Sequence, residues 1–122
     1  MTYAMPQEIE VWYVIPALRR ELARTFIEDH HLSQKEASKI LGITESAISQ
    51  YLKAKRGKEL KFNKDELDHI KLTAKKMISD RENLLKYMYA LLKELRGSKS
   101  VCALHHKFDK TLSCDCTICT EQ

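Results

Sequence analysis

The stretch "SQKEASKILGITESAISQYLKAKRG", residues 33–57, decides the fold of this chain. Ser33 precedes a run of helix-forming residues and is followed at the third position by Glu36, a pairing typical of helix starts. Gly42 interrupts the run, and Thr44 can cap a second helix that extends to the glycine at the end of the stretch. Two short helices joined by a tight turn around a glycine form the helix-turn-helix pattern.

The residues before this stretch predict another helix. From Pro16 to His30 the apolar residues recur at helical spacing. Pro16 either begins this helix or interrupts a longer one that starts near Pro6. We expect the longer helix, with a kink at Pro16.

The residues after it predict two more helices. Asn63 and Glu66 form a capping box that opens one of them, and Ser79 and Glu82 repeat the pattern before the next. The 122-residue chain contains only three glycines and two prolines. The sequence therefore predicts an all-α fold of about five helices, followed by an irregular C-terminal metal-binding segment.

The change in pattern along the chain predicts three parts. Residues 1–60 are expected to form a helix-turn-helix domain, a motif that commonly binds DNA. Residues 61–97 are expected to form a helical segment for dimerisation, and residues 98–122, which contain all four cysteines, a metal-binding segment. Helical periodicity ends near residue 98, where the last part begins.

The last predicted helix carries a wide apolar stripe. The stripe contains Leu84, Leu85, Met88, Leu91, Leu92 and Leu95. Such a stripe packs against the helices of its own domain or against a partner helix. We expect residues 84–95 to form a homodimer interface, in which case Leu91→Lys separates the dimer.

Positive charge is concentrated around the helix-turn-helix pattern. Residues 33–61 contain seven lysines and arginines and three glutamates, and so account for the whole formal net charge of +4. Basic and acidic residues cancel in the rest of the chain. A local excess of positive charge favours a polyanionic partner.

The stretch resembles the helix-turn-helix of λ-repressor/Cro-like (XRE-type) transcription regulators. In particular, it is similar to small archaeal and bacterial predicted regulators with an "LP-alR-elA" first helix and a "kRG" after the recognition helix. The matching residues are Ile15, Pro16, Ala17, Leu18, Arg19, Glu21, Leu22 and Ala23, then Lys55, Arg56 and Gly57. The resemblance covers roughly residues 6–58 and implies a regulator that binds double-stranded DNA, as a dimer on a pseudo-palindromic operator.

The outer face of the second helix is expected to read DNA. Its outward residues are Thr44, Glu45, Ser46, Ser49, Gln50 and Lys53. Gln50 can pair with adenine, and Ser46 or Ser49 can contact a base or a phosphate. The resemblance implies that Gln34 bonds the DNA backbone. Phosphate contacts are expected from Lys53, Lys55, Arg56 and Lys58.

All four cysteines lie at the C-terminal end. Cys102, Cys114, Cys116 and Cys119 have the spacing C-x11-C-x-C-x2-C. No secretory leader is recognisable, so we expect a cytoplasmic protein, in which clustered thiols usually bind metal. The segment resembles the C-terminal clusters of iron–sulfur transcription regulators.

The cysteine spacing leaves two metals open. Three ligands packed together suit a [4Fe–4S] or [2Fe–2S] cluster, whereas four thiolates also suit a structural zinc. His105 or His106 can replace a cysteine as ligand. We expect the iron–sulfur cluster, which would make the protein a sensor of redox state, oxygen or iron supply, and we retain zinc as the alternative.

Other function classes have little support in the sequence. No apolar run is long enough to span a membrane. A Cys102/His105 nucleophile pair is conceivable, but no glycine-rich phosphate loop or oxyanion site accompanies it. We therefore expect no enzyme, no membrane association and no small-molecule substrate.

Overall fold

The computed structural model describes residues 8, 10–53, 57, 60–95, 98, 100, 103 and 104. In this part of the chain the regular elements are all helical and no strand occurs, which confirms the all-α prediction. The α-helices are α1 (Ile15–Arg24), α2 (Gln34–Leu41), α3 (Glu45–Leu52), α4 (Lys64–Ser79) and α5 (Leu84–Leu95). None of the helices in these residues is long and apolar enough to span a membrane.

Helix α1 is the centre of the fold. Leu18, Leu22 and Phe26 are fully buried on its inner face, and α1 packs against α2, α3 and α4. The π-helical turns Glu10–Val14 and Thr25–Asp29 extend it at both ends. The backbone stays helical at both junctions, so the predicted continuous helix through Pro16 is confirmed.

The residues that precede α1 form a π-helical turn, and the kink predicted at Pro16 stays a prediction. Pro16 lies at the start of α1, directly after the turn Glu10–Val14. A proline has no N–H to donate to the preceding turn, and helices adjust at such positions. The predicted start near Pro6 lies outside the described residues.

Helix α4 begins with the predicted capping box. The Glu66 N–H donates to Asn63 Oδ1 (2.9 Å), and the Asn63 N–H donates to Glu66 Oε1 (2.8 Å). The same Glu66 oxygen accepts a hydrogen bond from Ser100 Oγ (2.6 Å). Leu104 is buried in the main core. The described residues around Cys102 are thus held against α4 and the core.

The capping pair predicted at Ser79 and Glu82 is wrong. Ser79 is the last residue of α4, and its hydroxyl donates to the Lys76 carbonyl (3.0 Å). Asp80 organises the turn instead, because its carboxylate accepts hydrogen bonds from Asn83 Nδ2 (2.8 Å) and Tyr87 Oη (2.9 Å). The hydrogen bond from Asn83, followed by that from Tyr87, lowers the pKa of Asp80.

The apolar stripe of α5 divides between the core and the surface. Leu91 and Leu95 are 1% and 5% exposed, so they pack inside the same core as α1 and α4. Leu85 is 81% exposed. Leu91→Lys would therefore bury a charge in the core and unfold the chain, so it is unsuitable as a probe of dimerisation.

A polar contact also joins α4 to α5, since the side chains of His69 and Glu94 pair.

Gly57 packs against the backbone of α1. It was predicted to end the third helix, but α3 ends at Leu52 and Gly57 has a different role. Its φ is +74°, and a Cβ added to it would lie 2.5 Å from the Pro16 carbonyl oxygen and 3.2 Å from Ala17 Cα. Only a glycine fits at this contact.

We predict that Gly57→Ala destabilises the protein much more than Gly42→Ala. Both glycines have positive φ, which costs an alanine about 1–2 kcal/mol. At Gly42 the added Cβ meets only Leu84 Cδ2 at 4.0 Å. At Gly57 the contact with the α1 backbone adds about 1–3 kcal/mol. Urea unfolding measures the two losses, and equal losses would contradict the tight contact.

We predict that Asp80→Asn lowers the free energy of unfolding at neutral pH but not in acid. Because folding lowers the pKa of Asp80, its stabilisation is present above the ordinary pKa of 3.8 and is lost as pH falls through the lowered value. Urea unfolding from pH 7 to about pH 2 should show wild type and variant converging at the acid end. Tyr87→Phe removes one of the two donors and should give a smaller difference with the same pH dependence. A difference independent of pH would contradict this account.

Candidate nucleic-acid interface

Side-chain caps define the starts of α2 and α3. Ser33 Oγ accepts a hydrogen bond from the Glu36 N–H (3.1 Å), and Thr44 Oγ1 accepts one from the Ala47 N–H (3.1 Å). Both caps were predicted from the sequence and both are confirmed. Each satisfies a backbone donor that has no partner within its own helix.

The turn between α2 and α3 depends on Gly42. Its φ of +67° lies in the left-handed region, which ends α2 sharply. The Ile43 N–H donates to the Ser38 carbonyl (3.1 Å) and closes the turn. Ser38 is 7% exposed, and its hydroxyl donates to the Lys35 carbonyl (2.7 Å), so its small buried side chain is fully bonded. The predicted helix-turn-helix pair is therefore present in the geometry.

The inner side of the pair is apolar. Leu41 and Ile48 are buried, and Ile43 and Leu52 are partly buried against the same core. Tyr51, which the sequence analysis did not single out, is 3% exposed. Its position three residues after Ile48 is the signal that identifies it as an inward residue. Helix α3 is thus held on one face by the core, largely through α1 and α2.

The outer side of the pair is polar and accessible. Ser46, Ser49, Gln50 and Lys53 are spaced at three, four and seven residues, so they share one face of α3. Ser46 and Lys53 are exposed, whereas Ser49 and Gln50 are partly buried.

The remaining predicted contact residues in this region are also exposed. They are Gln34, at the first position of α2, and Thr44 and Glu45, at the start of α3. Lys35 and Lys39, which the sequence analysis counted only toward the charge, are exposed on α2 as well. Their i, i+4 spacing places both ammonium groups on one side of this helix.

Several predicted site residues lie outside the described residues. They are Lys55, Arg56 and Lys58, the four cysteines Cys102, Cys114, Cys116 and Cys119, and His105 and His106. In the part of the chain that the structure describes, no group of three or more histidine, cysteine or acidic side chains could hold a metal ion. The predicted phosphate contacts of the "KRGK" segment and the predicted metal centre stay predictions.

The turn at Gly42 lies against α5. A Cβ added to Gly42 would lie 4.0 Å from Leu84 Cδ2, and Leu41 lines a groove together with residues of α5. The first turn of α5 is therefore next to the turn that orients α3.

The described helices thus form a helix-turn-helix pair held on a central helix and supported by two further helices. Comparison of the chain with protein-family models, with curated proteins and with solved structures finds no match. The functional argument therefore depends on the chain's own residues and their geometry.

Proposed function

We propose that this protein is a sequence-specific DNA-binding transcription regulator whose α3 is the recognition helix. One observation carries the proposal: α3 is capped at its start and buried on one face, and it presents a polar face with one cation to solvent. A helix of this kind enters the major groove with residues near its N-terminus against the base edges. The charge excess of residues 33–61 supports a polyanionic partner.

The proposed roles follow from side-chain chemistry. Gln50 reads adenine through its amide, and Ser46 or Ser49 bonds a base edge or a phosphate. Thr44 and Glu45 lie at the entry of α3 into the groove, where a glutamate can accept a hydrogen bond from cytosine N4. These groups supply sequence discrimination.

Phosphate contacts supply the affinity. We assign them to Gln34, at the start of α2, and to the basic residues Lys53, Lys55, Arg56 and Lys58. Neutralising phosphates releases counterions, so these contacts strengthen binding to any DNA sequence and make it salt-dependent.

We predict different effects for the two classes of residue. Lys53→Ala should weaken binding to specific and random duplexes alike and reduce the slope of log K against log salt by about one. Gln50→Ala should instead reduce discrimination at one base pair, by about 1–3 kcal/mol, and leave the slope unchanged. Fluorescence anisotropy with a selected operator and a random duplex measures both effects.

Lys75→Ala is the matched control for this experiment. Lys75 is exposed on α4, which packs against α1 and α5. Its removal should change neither the salt slope nor the discrimination. If Lys53→Ala and Gln50→Ala behaved alike, or if Lys75→Ala had the effect expected of Lys53→Ala, α3 would not be the recognition helix.

We propose that the regulator works as a homodimer. One helix-turn-helix reads about one half-site, so a pseudo-palindromic operator requires two copies. Within residues 84–95, the side chains that point away from the core are the ones available to a second copy.

We also propose that Cys102, Cys114, Cys116 and Cys119 hold an iron–sulfur cluster, with structural zinc as the alternative. Four thiolates are the donor set that both groups require. A cluster would supply sensitivity to oxidants and iron, whereas zinc would only fold the segment. The support for coupling to the rest of the protein is that Ser100 and Leu104, on either side of Cys102, are held by Glu66 and by the core.

We predict that protein purified without oxygen contains iron and acid-labile sulfide and absorbs visible light. Cys116→Ser should reduce the bound metal because it removes one of the four ligands. Metal and sulfide analysis with an absorption spectrum measures both, and exposure to air should then change DNA affinity. Colourless protein with one zinc per chain, and with DNA binding indifferent to air, would favour the structural alternative. Protein without bound metal would contradict both.

A further inference from the structure

An apolar groove separates the start of α1 from α5. Its volume is about 390 Å³. Its walls are formed by Ile15, Leu41, Leu84, Met88 and Leu92, with Arg19 as a charged residue among them. The stem of an arginine can cover apolar surface while its guanidinium stays in water. The groove is therefore largely apolar.

Two large side chains project beside this groove. Leu85 is 81% exposed and Tyr89 is 62% exposed, and both also line the groove. They are four residues apart on α5, so they protrude on the same side of this helix. Neither belongs to the side chains that pack against the core. The surface thus combines the groove with two protruding side chains.

Two further exposed apolar side chains come three and four residues before Ile15, which is a wall of the groove. Val11 (60% exposed) and Trp12 (48%) lie in the turn before Ile15. Leu72, on α4, is the remaining large apolar side chain that is exposed among the described residues. Leu85, Tyr89, Val11 and Trp12 together expose on the order of 500 Å². A typical monomer exposes an apolar patch of at most about 300–600 Å², and a standard interface buries about 800 Å² per partner.

We propose that this surface binds a second copy of the chain, with Leu85 and Tyr89 of each copy in the groove of the other. The inference deepens the proposed function, since it rests on the homodimer and identifies its interface. In a two-fold symmetric dimer the same patch of both copies meets. A patch that carries both a groove and protruding side chains can therefore be complementary to itself. Buried on both copies, these side chains supply roughly 1,000 Å², which is the lower limit for a specific interface, and the half-buried walls of the groove add to it. The dimer contacts are thus shared by α1 and α5, and Leu91 and Leu95 take no part.

The proposed interface adjoins the helix-turn-helix. Leu41, the last residue of α2, forms one wall of the groove, and Leu84 lies beside Gly42. A partner side chain in the groove therefore contacts residues that fix the turn before α3. Dimer packing would set the orientation of both recognition helices, and hence the half-site spacing that the dimer accepts.

Sedimentation equilibrium of the full chain without DNA tests the interface. We expect wild type to be dimeric, and Leu85→Lys, Tyr89→Lys and Ile15→Glu to raise the dimer dissociation constant at least tenfold. Leu72→Lys is the matched control, because it changes an equally apolar, 52% exposed side chain away from the groove, and it should leave the dimer unchanged. Circular dichroism checks that the variants keep the wild-type helix content.

A mixing experiment tests the exchange of side chains between copies. Leu85→Lys and Ile15→Glu chains should each be monomeric alone and should form a heterodimer when mixed. In the mixed dimer the introduced lysine of one copy meets the introduced glutamate of the other, and the second groove keeps its wild-type contact. If α5 of one copy contacted only α5 of the other, the mixed chains would stay monomeric. That result would contradict the inference.

Three further outcomes would also overturn the inference. The first is a wild-type chain that stays monomeric up to about 100 μM, well above the dissociation constant of a stable dimer. The second is a dimer that Leu85→Lys leaves intact. The third is a dimer that Leu72→Lys disrupts as strongly as Leu85→Lys does. DNA binding is measured separately. A dimer with these properties that bound no DNA would contradict the proposed function and leave the interface standing. DNA binding by a monomer would contradict the homodimer and its interface and leave α3 as the recognition helix.

Discussion

The fold depends on the burial of one helix. Leu18 and Leu22 of α1, and Phe26 in the π-helical turn that follows it, are removed completely from water, and α2, α3 and α4 pack around α1. Burying side chains of this size stabilises a fold by about 1.5–3 kcal/mol each. The contact of Gly57 with Pro16 and Ala17 belongs to the same arrangement, because it brings the chain after α3 back onto the start of α1. Helix α3 is therefore held against the core on one face, and Gly57, further along the chain, is held against the start of α1.

In this arrangement the proposed DNA-binding face and the proposed dimer interface are separate surfaces of one small chain. The polar face of α3 points away from α1, while the groove beside α1 opens next to Leu85 and Tyr89. The turn at Gly42 adjoins both surfaces, since it directly precedes α3 and since Leu41 and Leu84 beside it line the groove. A short path through packed side chains thus connects the proposed dimer interface with the proposed DNA-binding face. The hydrogen bond from Ser100 to Glu66 ties the start of the cysteine segment to α4 in the same body.

Local signals in the sequence predicted the local structure well. Ser33, Gly42 and Thr44 act within one turn of helix, so their roles could be identified without knowledge of the fold. The pair at Ser79 and Glu82 failed because Asp80, one residue later, offers a stronger acceptor to Asn83 and Tyr87. Contacts between residues far apart in the chain could not be predicted from the sequence. The contact of Gly57 with Pro16, for example, has no local sequence signal. A wide stripe on α5 has the same period whether it faces its own core or a partner, so the burial of Leu91 required the structure. Of the six residues predicted to face outward, four are exposed, whereas Ser49 and Gln50 are partly buried. Their DNA contacts remain a proposal.

Backbone amide chemical shifts during a titration with duplex DNA test the central proposal most directly. The account predicts that at low salt the perturbed amides concentrate in residues 33–53, above all at the start of α3 and at Gln50 and Lys53. The exposed face of α4, with Lys71 and Lys75, should change little. Perturbations centred on α4, or none at protein and DNA concentrations of about 100 μM, where even non-specific binding is populated, would contradict the assignment of α3 as a recognition helix.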